Sequence, residues 1–179
     1  RALTGALAID PSTGRIYASS GSGIEIFDPQ ADATHQWSHF SNLQVTDLAF
    51  GPDGRLWGVR FSGSAVDSAL PNATTDIVSF PMTGANKGNA QLEERLRGIV
   101  ESIAFGQAGT PLAGLMFAST STAQRPIAAG TDASATTPHT ASVWMVSLAT
   151  RDLLQLATGG TRGQALLTRG DGSLLVAET

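Results

Sequence analysis

The chain of 179 residues has three histidines, fifteen Asp and Glu, eleven Lys and Arg and no cysteine, so any chemistry must come from carboxylates, imidazoles, basic groups, hydroxyls and amides. Lack of cysteine removes thiolate metal sites, cysteine nucleophiles and disulfides. His35 and His39 are separated as a helical metal pair would be. On an extended strand the same separation spans about 13 Å, too far to share one ion. The spacing suits His35, Trp37 and His39 as one face of an outer strand, while His139 falls in an Ala/Thr/Ser-rich stretch. No nucleophile-elbow motif accompanies them, so a Ser-His-Asp triad has no support. Arg169-Gly170-Asp171 has the composition of an adhesive tripeptide, yet it shares a turn position with Pro52-Asp53-Gly54, and turn chemistry accounts for it. Gly21-Ser22-Gly23 lacks the helix that a phosphate loop requires. Asn72-Ala73-Thr74 is a glycosylation sequon, meaningful only in a eukaryotic secretory protein. The remaining polar candidates are Thr46, Asp47, Glu101, Arg162 and Gln164, and what they can do depends on the elements that hold them.

Composition narrows the partners. The net charge is −4, and of the 11 basic residues only Lys87 is a lysine. No basic stripe tracks a phosphate backbone, which excludes nucleic acid as the expected partner. No apolar run reaches the roughly 18 residues of a membrane-spanning helix, so no membrane insertion is expected. Abundant Ala, Ser, Thr and Gly with little Lys resembles exported bacterial proteins, and an extracellular or cell-surface location is the expectation. The chain begins at Arg1 rather than Met, which leaves open a leader or further domains outside it.

The elements come from a repeat. Four segments share one template of apolar strand, Gly-bearing turn and second apolar strand: GALAIDPSTGRIYAS (5–19), TDLAFGPDGRLWGV (46–59), ESIAFGQAGTPLAGLMFAS (101–119) and QALLTRGDGSLLVA (164–177). Ala8, Ala49, Ala104 and Leu167 occupy one register. The first interval suits a four-stranded propeller blade of about 40–45 residues, and the later ones need insertions. A second pair of strand-like runs follows each of the first three hairpins. In GIEIFDPQ, Ile24, Ile26 and Asp28 alternate with Glu25 and Phe27. Within NAQLEERLRGIVESIAF (89–105), Leu92, Leu96, Ile99 and Ile103 also fit a helix. The repeat favours a strand at 91–97 instead, with Gly98 interrupting the run.

GALAIDPSTGRIYASSGSGIEIFDPQ resembles a blade of the NHL, YVTN and gluconolactonase-like β-propellers. The blade order and inserts are more loosely similar to propeller segments of very large bacterial surface proteins of the adhesin type. The resemblance implies an all-β partial propeller of about three and a half four-stranded antiparallel blades, at approximately 1–42, 43–98, 99–160 and a half blade 161–179. A ring takes four to eight blades. The remainder is therefore expected from the same polypeptide or another chain.

In that architecture the inserts 60–74 and 117–141 join second to third strands and project from one rim, beside the links between blades. Loops on a rigid scaffold are where binding usually sits, so a protein or carbohydrate ligand is expected there. Thr46, Glu101 and Gln164, with Gly5 in the first unit, lead into the inner strands, with Asp47 and Arg162 close by. Related propellers hold a divalent metal in the channel with acidic and amide side chains. Here Glu101 is the one carboxylate in that register, a weak ligand set. The expectation is a non-enzymatic scaffold or binding module without cofactor. The alternative is a metal-dependent lactonase- or lyase-like enzyme, using a divalent cation such as calcium.

Overall fold

The structure, a computed structural model, describes residues 3–61, 74–97, 99–120, 141–159 and 163–178. Among these every regular element is a strand. The first sheet contains β1 (Leu3–Ile9), β2 (Ile16–Ser20), β3 (Gly23–Phe27) and β4 (Trp37–Ser41). The second contains β5 (Asp47–Phe50), β6 (Leu56–Phe61), β7 (Thr74–Phe80) and β8 (Gln91–Arg97). The third contains β9 (Val100–Phe105), β10 (Leu115–Thr120), β11 (Ser142–Ser147) and β12 (Leu153–Thr158). A two-stranded sheet follows, from β13 (Gly163–Thr168) and β14 (Leu174–Glu178). Within each sheet the strands lie side by side in chain order, and every pairing is antiparallel. The first strand of each sheet packs on the first strand of the next, as β1 on β5, β5 on β9 and β9 on β13. The chain is a partial β-propeller.

The repeated turn holds the second and fourth inner hairpins by the same local chemistry. Gly51 N–H donates to the Arg55 carbonyl at 2.9 Å, and Arg169 N–H to that of Ser173 at 2.9 Å. The Asp53 carboxylate accepts the Arg55 N–H at 3.1 Å, and Asp171 accepts that of Ser173 at 2.9 Å. An aspartate reaching two residues ahead satisfies the donor that a tight turn exposes. This explains why Asp and Gly recur there.

The register gives the repeated alanines their purpose. Ala8 pairs with Tyr17, Ala49 with Trp57 and Ala104 with Phe117. A small inner residue beside a large second-strand aromatic lets the blades converge toward the axis. Tyr17 then meets Phe40 and Phe50 edge-on at 5.1 and 5.5 Å, filling the seam between the first two blades. Trp57 meets Phe105 at 5.1 Å across the next seam. Leu56, Phe80 and Ile24 are fully buried in the first core, and Val59, Ile77, Leu96 and Met116 in the second. Each such burial stabilises by about 1.5–3 kcal/mol.

Helical spacing at 89–105 yields to these partners. The segment forms β8 and β9, with Gly98 outside the described residues. In the sheet, Arg95 donates to both oxygens of Asp76 on β7, at 2.6 and 3.2 Å. Glu93 accepts from Arg55 at 2.8 Å and Ser79 at 2.6 Å. A helix would forfeit these cross-strand contacts together with the buried site of Leu96. The outer strand of the first blade begins at Trp37, so His35 is not on it. His35 instead lies in the preceding turn, where its Nδ1 meets Asp32 at 2.9 Å.

Candidate functional site

One rim gathers the pieces that sequence reasoning assigned to binding. Gln44, in the link between β4 and β5, donates through Nε2 to the Gly21 carbonyl at 2.6 Å. Link and β2–β3 turn therefore meet on the same side. The end of β6 and start of β7 share this rim by the alternation of strand direction, as do the end of β10 and start of β11. The inserts 60–74 and 117–141 run between those ends, with 62–73 and 121–140 outside the described residues.

Gly5, Glu101 and Gln164 coincide with irregularities in three inner strands, and Thr46 immediately precedes the fourth. Ser119 pairs with Ser102 but Thr120 with Val100, so Glu101 is an extra residue in β9. Gly163 pairs with Glu178 but Ala165 with Ala177, which makes Gln164 the extra residue in β13. Thr46 N–H donates to the Val59 carbonyl at 2.8 Å although Val59 already pairs with Asp47. β1 shifts register between Leu3 and Leu7, around Gly5, whose φ is 110°. A bulge bends its strand and re-aims a side chain, and register shifts of this kind recur in β1, β9 and β13. Thr46 is exposed and Glu101 half-buried. Arg162 and the side chain of Gln164 lie outside the described residues.

Asp47 turns sideways into the next blade. Its Oδ2 accepts the Ile103 N–H of β9 at 2.7 Å, and the Ser102 hydroxyl donates to the same carboxylate. Burial pushes the Asp47 carboxyl above its ordinary value, only partly opposed by those bonds and by the Leu48 N–H. Ser102 occupies the same register position one blade on, and its Oγ accepts the Leu166 N–H of β13 at 3.3 Å. Consecutive inner strands are thus tied by one repeated contact. Its long sequence separation hides it from any local reading.

A buried carboxylate on the first blade also escaped the sequence pattern. Glu25 on β3 is only 3% exposed, and its Oε1 accepts the Ser22 hydroxyl at 3.0 Å and meets His39 Nδ1 at 3.2 Å. His39 Nε2 meets Asn42 Oδ1 at 2.9 Å. Hydroxyl and imidazole both converge on the carboxylate rather than on each other, so the cluster lacks the base-activated nucleophile that acyl transfer needs. The pairing of β3 with β4 creates it, and only a correct strand register would have revealed it. The Arg169–Asp171 turn closes on itself, with the two side chains paired at 3.4 Å. Among the described residues no group of three His, Asp or Glu is placed to hold a metal ion, and no helix is long and apolar enough to cross a membrane.

Between the first two blades the rim opens into a cleft of about 530 Å³, lined by Ser20, Gly21, Gln44, Val45, Thr46 and Arg60 among others. That volume lies within the roughly 300–1,000 Å³ of small-molecule sites.

No family model and no curated protein matches the chain. Among solved structures it is similar to the extracellular domain of a B. thetaiotaomicron protein described as a hybrid two-component system. The TM-score there is 0.53 at 10% identity, over 96% of this chain and 19% of that one. It also overlaps a Thermus thermophilus protein described as an oxidoreductase (glucose dehydrogenase), at a TM-score of 0.35 and 13% identity, over 98% of this chain and 90% of that one. The first likeness bears on fold, and this chain spans about a fifth of that chain's length.

Proposed function

We propose that the chain is a non-enzymatic propeller scaffold of an exported bacterial protein, presenting a binding rim to a protein or carbohydrate ligand. The observation that carries this reading is the convergence of the β4–β5 link, the β2–β3 turn and the insert-bearing end of β6 around one open cleft. Extracellular placement is supported by the similar structure's being an extracellular domain, together with the composition. Further blades, of the same polypeptide or another chain, complete the ring in this proposal. The outward faces of the end sheets support it, with Leu7 and Ile9 exposed on β1 and Leu167, Leu175 and Val176 on β13 and β14.

Amide chemical-shift mapping against a panel of oligosaccharides and peptides tests the reading. Shifts clustered at Gly21, Gln44, Thr46 and Arg60 are expected. Shifts confined to the opposite turns, at 10–15, 51–55 and 169–173, overturn it. So does chelator-sensitive lactone hydrolysis abolished by Glu101→Ala.

A further inference from the structure

The cleft between the first two blades has a definite polarity. Arg60 on β6 faces Asp76 on β7 in register, and Asp76 in turn faces Arg95 on β8. Two guanidinium groups therefore compete for one carboxylate. Arg95 holds both of its oxygens, at 2.6 and 3.2 Å. Arg60 is left exposed, with no hydrogen bond or ion pair among the described residues. The other arginines whose side chains are described, Arg15, Arg55, Arg95, Arg151 and Arg169, each pair with a carboxylate. The described lining of the cleft contains no acidic residue.

Two groups that share the cleft lining with it offer acceptors. Thr46 donates its hydroxyl proton to the Val59 carbonyl at 3.2 Å, leaving its oxygen lone pairs for a ligand. Gln44 commits its amide N–H₂ to Gly21 and keeps Oε1 without a partner among the described residues. A planar guanidinium sharing one cleft with two oxygen acceptors matches a carboxylate adjacent to hydroxyl groups, since the carboxylate takes the bidentate fork and the hydroxyls donate. A phosphate, with at most one or two hydroxyl donors among its oxygens, would meet the guanidinium but match the two acceptors less well than a carboxylate with several hydroxyls beside it.

We propose that this cleft is a subsite for an acidic sugar, a carboxylate-bearing residue of a polysaccharide held by Arg60, Thr46 and Gln44. This rests on the rim-binding reading above and specifies its ligand chemistry. The cleft is open to solvent, so binding is weak for a single residue and gains from repeated units.

The test is a titration of the isotopically labelled chain with tri-galacturonate, its carboxyl-reduced neutral trimer and inorganic phosphate at constant ionic strength. Tri-galacturonate is expected to shift the Gly21, Gln44 and Thr46 amides and the Arg60 Nε–H. The neutral trimer should bind about tenfold more weakly or worse, and phosphate should not displace the acid. Arg60→Gln should lower affinity about tenfold with its spectrum otherwise retained, whereas Lys87→Gln should leave affinity unchanged. Equal binding of both trimers, insensitivity to Arg60→Gln, or displacement by phosphate overturns the acidic-sugar assignment while leaving the rim reading intact. Silence of these amides toward tri-galacturonate overturns it too. The rim reading fails with it only if the wider ligand panel is equally silent there.

Discussion

Replacing Asp47 separates the two roles of its carboxylate, which accepts a buried N–H and also carries a charge that burial disfavours. Asp47→Asn keeps an oxygen acceptor for the Ile103 N–H while removing the charge. Asp47→Ala removes both and leaves that N–H, on a residue only 3% exposed, without its partner. An orphaned buried donor costs about 1–3 kcal/mol. At roughly 2–4 °C per kcal/mol for a chain of this size, that corresponds to a fall in Tm of about 2–12 °C. The sign of the pH effect is fixed by the direction of the shift. A carboxyl whose folded-state pKa is raised above its unfolded value of 3.8 destabilises the fold once it ionises. Its contribution therefore improves as pH falls through the folded-state pKa toward 3.8. Asp10 and Asp53 oppose it. Burial raises each, but hydrogen bonds from Ser12 and Thr13, and from Arg55 and Trp57, outweigh that and hold both below 3.8. The informative quantity is consequently the difference between wild type and Asp47→Asn, measured by thermal melts from pH 7 to pH 4. Asp47→Asn should be at least as stable as wild type at pH 7, with its advantage shrinking toward acid. If it loses as much as Asp47→Ala, or if its advantage does not change with pH, the reasoning about this inter-blade bond is refuted.

Two further substitutions probe the turns. Gly23 begins β3 at φ 123°, and a Cβ there would collide with the Ser41 carbonyl, so Gly23→Ala should cost at least about 2 kcal/mol in urea unfolding. A cost below half of that contradicts the assigned backbone. Arg151 is the one described non-glycine residue with positive φ, at 64°, and its guanidinium reaches Glu93 on the neighbouring blade at 3.3 Å. A half-exposed ion pair contributes only about 0–1 kcal/mol, so Arg151→Gly should be more stable than Arg151→Ala by about 1 kcal/mol in the same assay. Equal stability of the two variants would show that the turn relaxes out of the left-handed conformation.

The architecture was readable because its signals are local. Asp53-Gly54 and Asp171-Gly172 announce tight turns, and Ala8, Ala49 and Ala104 mark a common inner-strand register beside Tyr17, Trp57 and Phe117. The segment 89–105 was ambiguous because its residues favour helix locally, and only partners on other strands decide it. Asp76, Arg55 and Ser79 are those partners, and all lie well upstream in the chain. The candidate site divides in the same way. Repeat register put Thr46 and Glu101 at the entry to their inner strands, but it said nothing of the bulge at Glu101 or of the turn of Asp47 into the next blade. Gly21 needed no special backbone conformation. It serves through its carbonyl, whereas Gly23 takes the positive φ. Glu25 alternated with buried isoleucines as a solvent-facing residue would, yet it is buried by Ser22 and His39, which the folded hairpin brings over it.

Ring-to-ring contacts observed by NMR in solution bear most directly on the radial stacking of these hairpins. Stacked blades place Trp57 against Phe105 and Tyr17 against Phe50, giving nuclear Overhauser effects between those rings. They give no strand-type backbone contacts joining β4 to β5 or β8 to β9. Cross-strand Hα contacts linking one blade's outer strand to the next blade's inner strand, or sequential helical contacts through 89–105, would contradict the account.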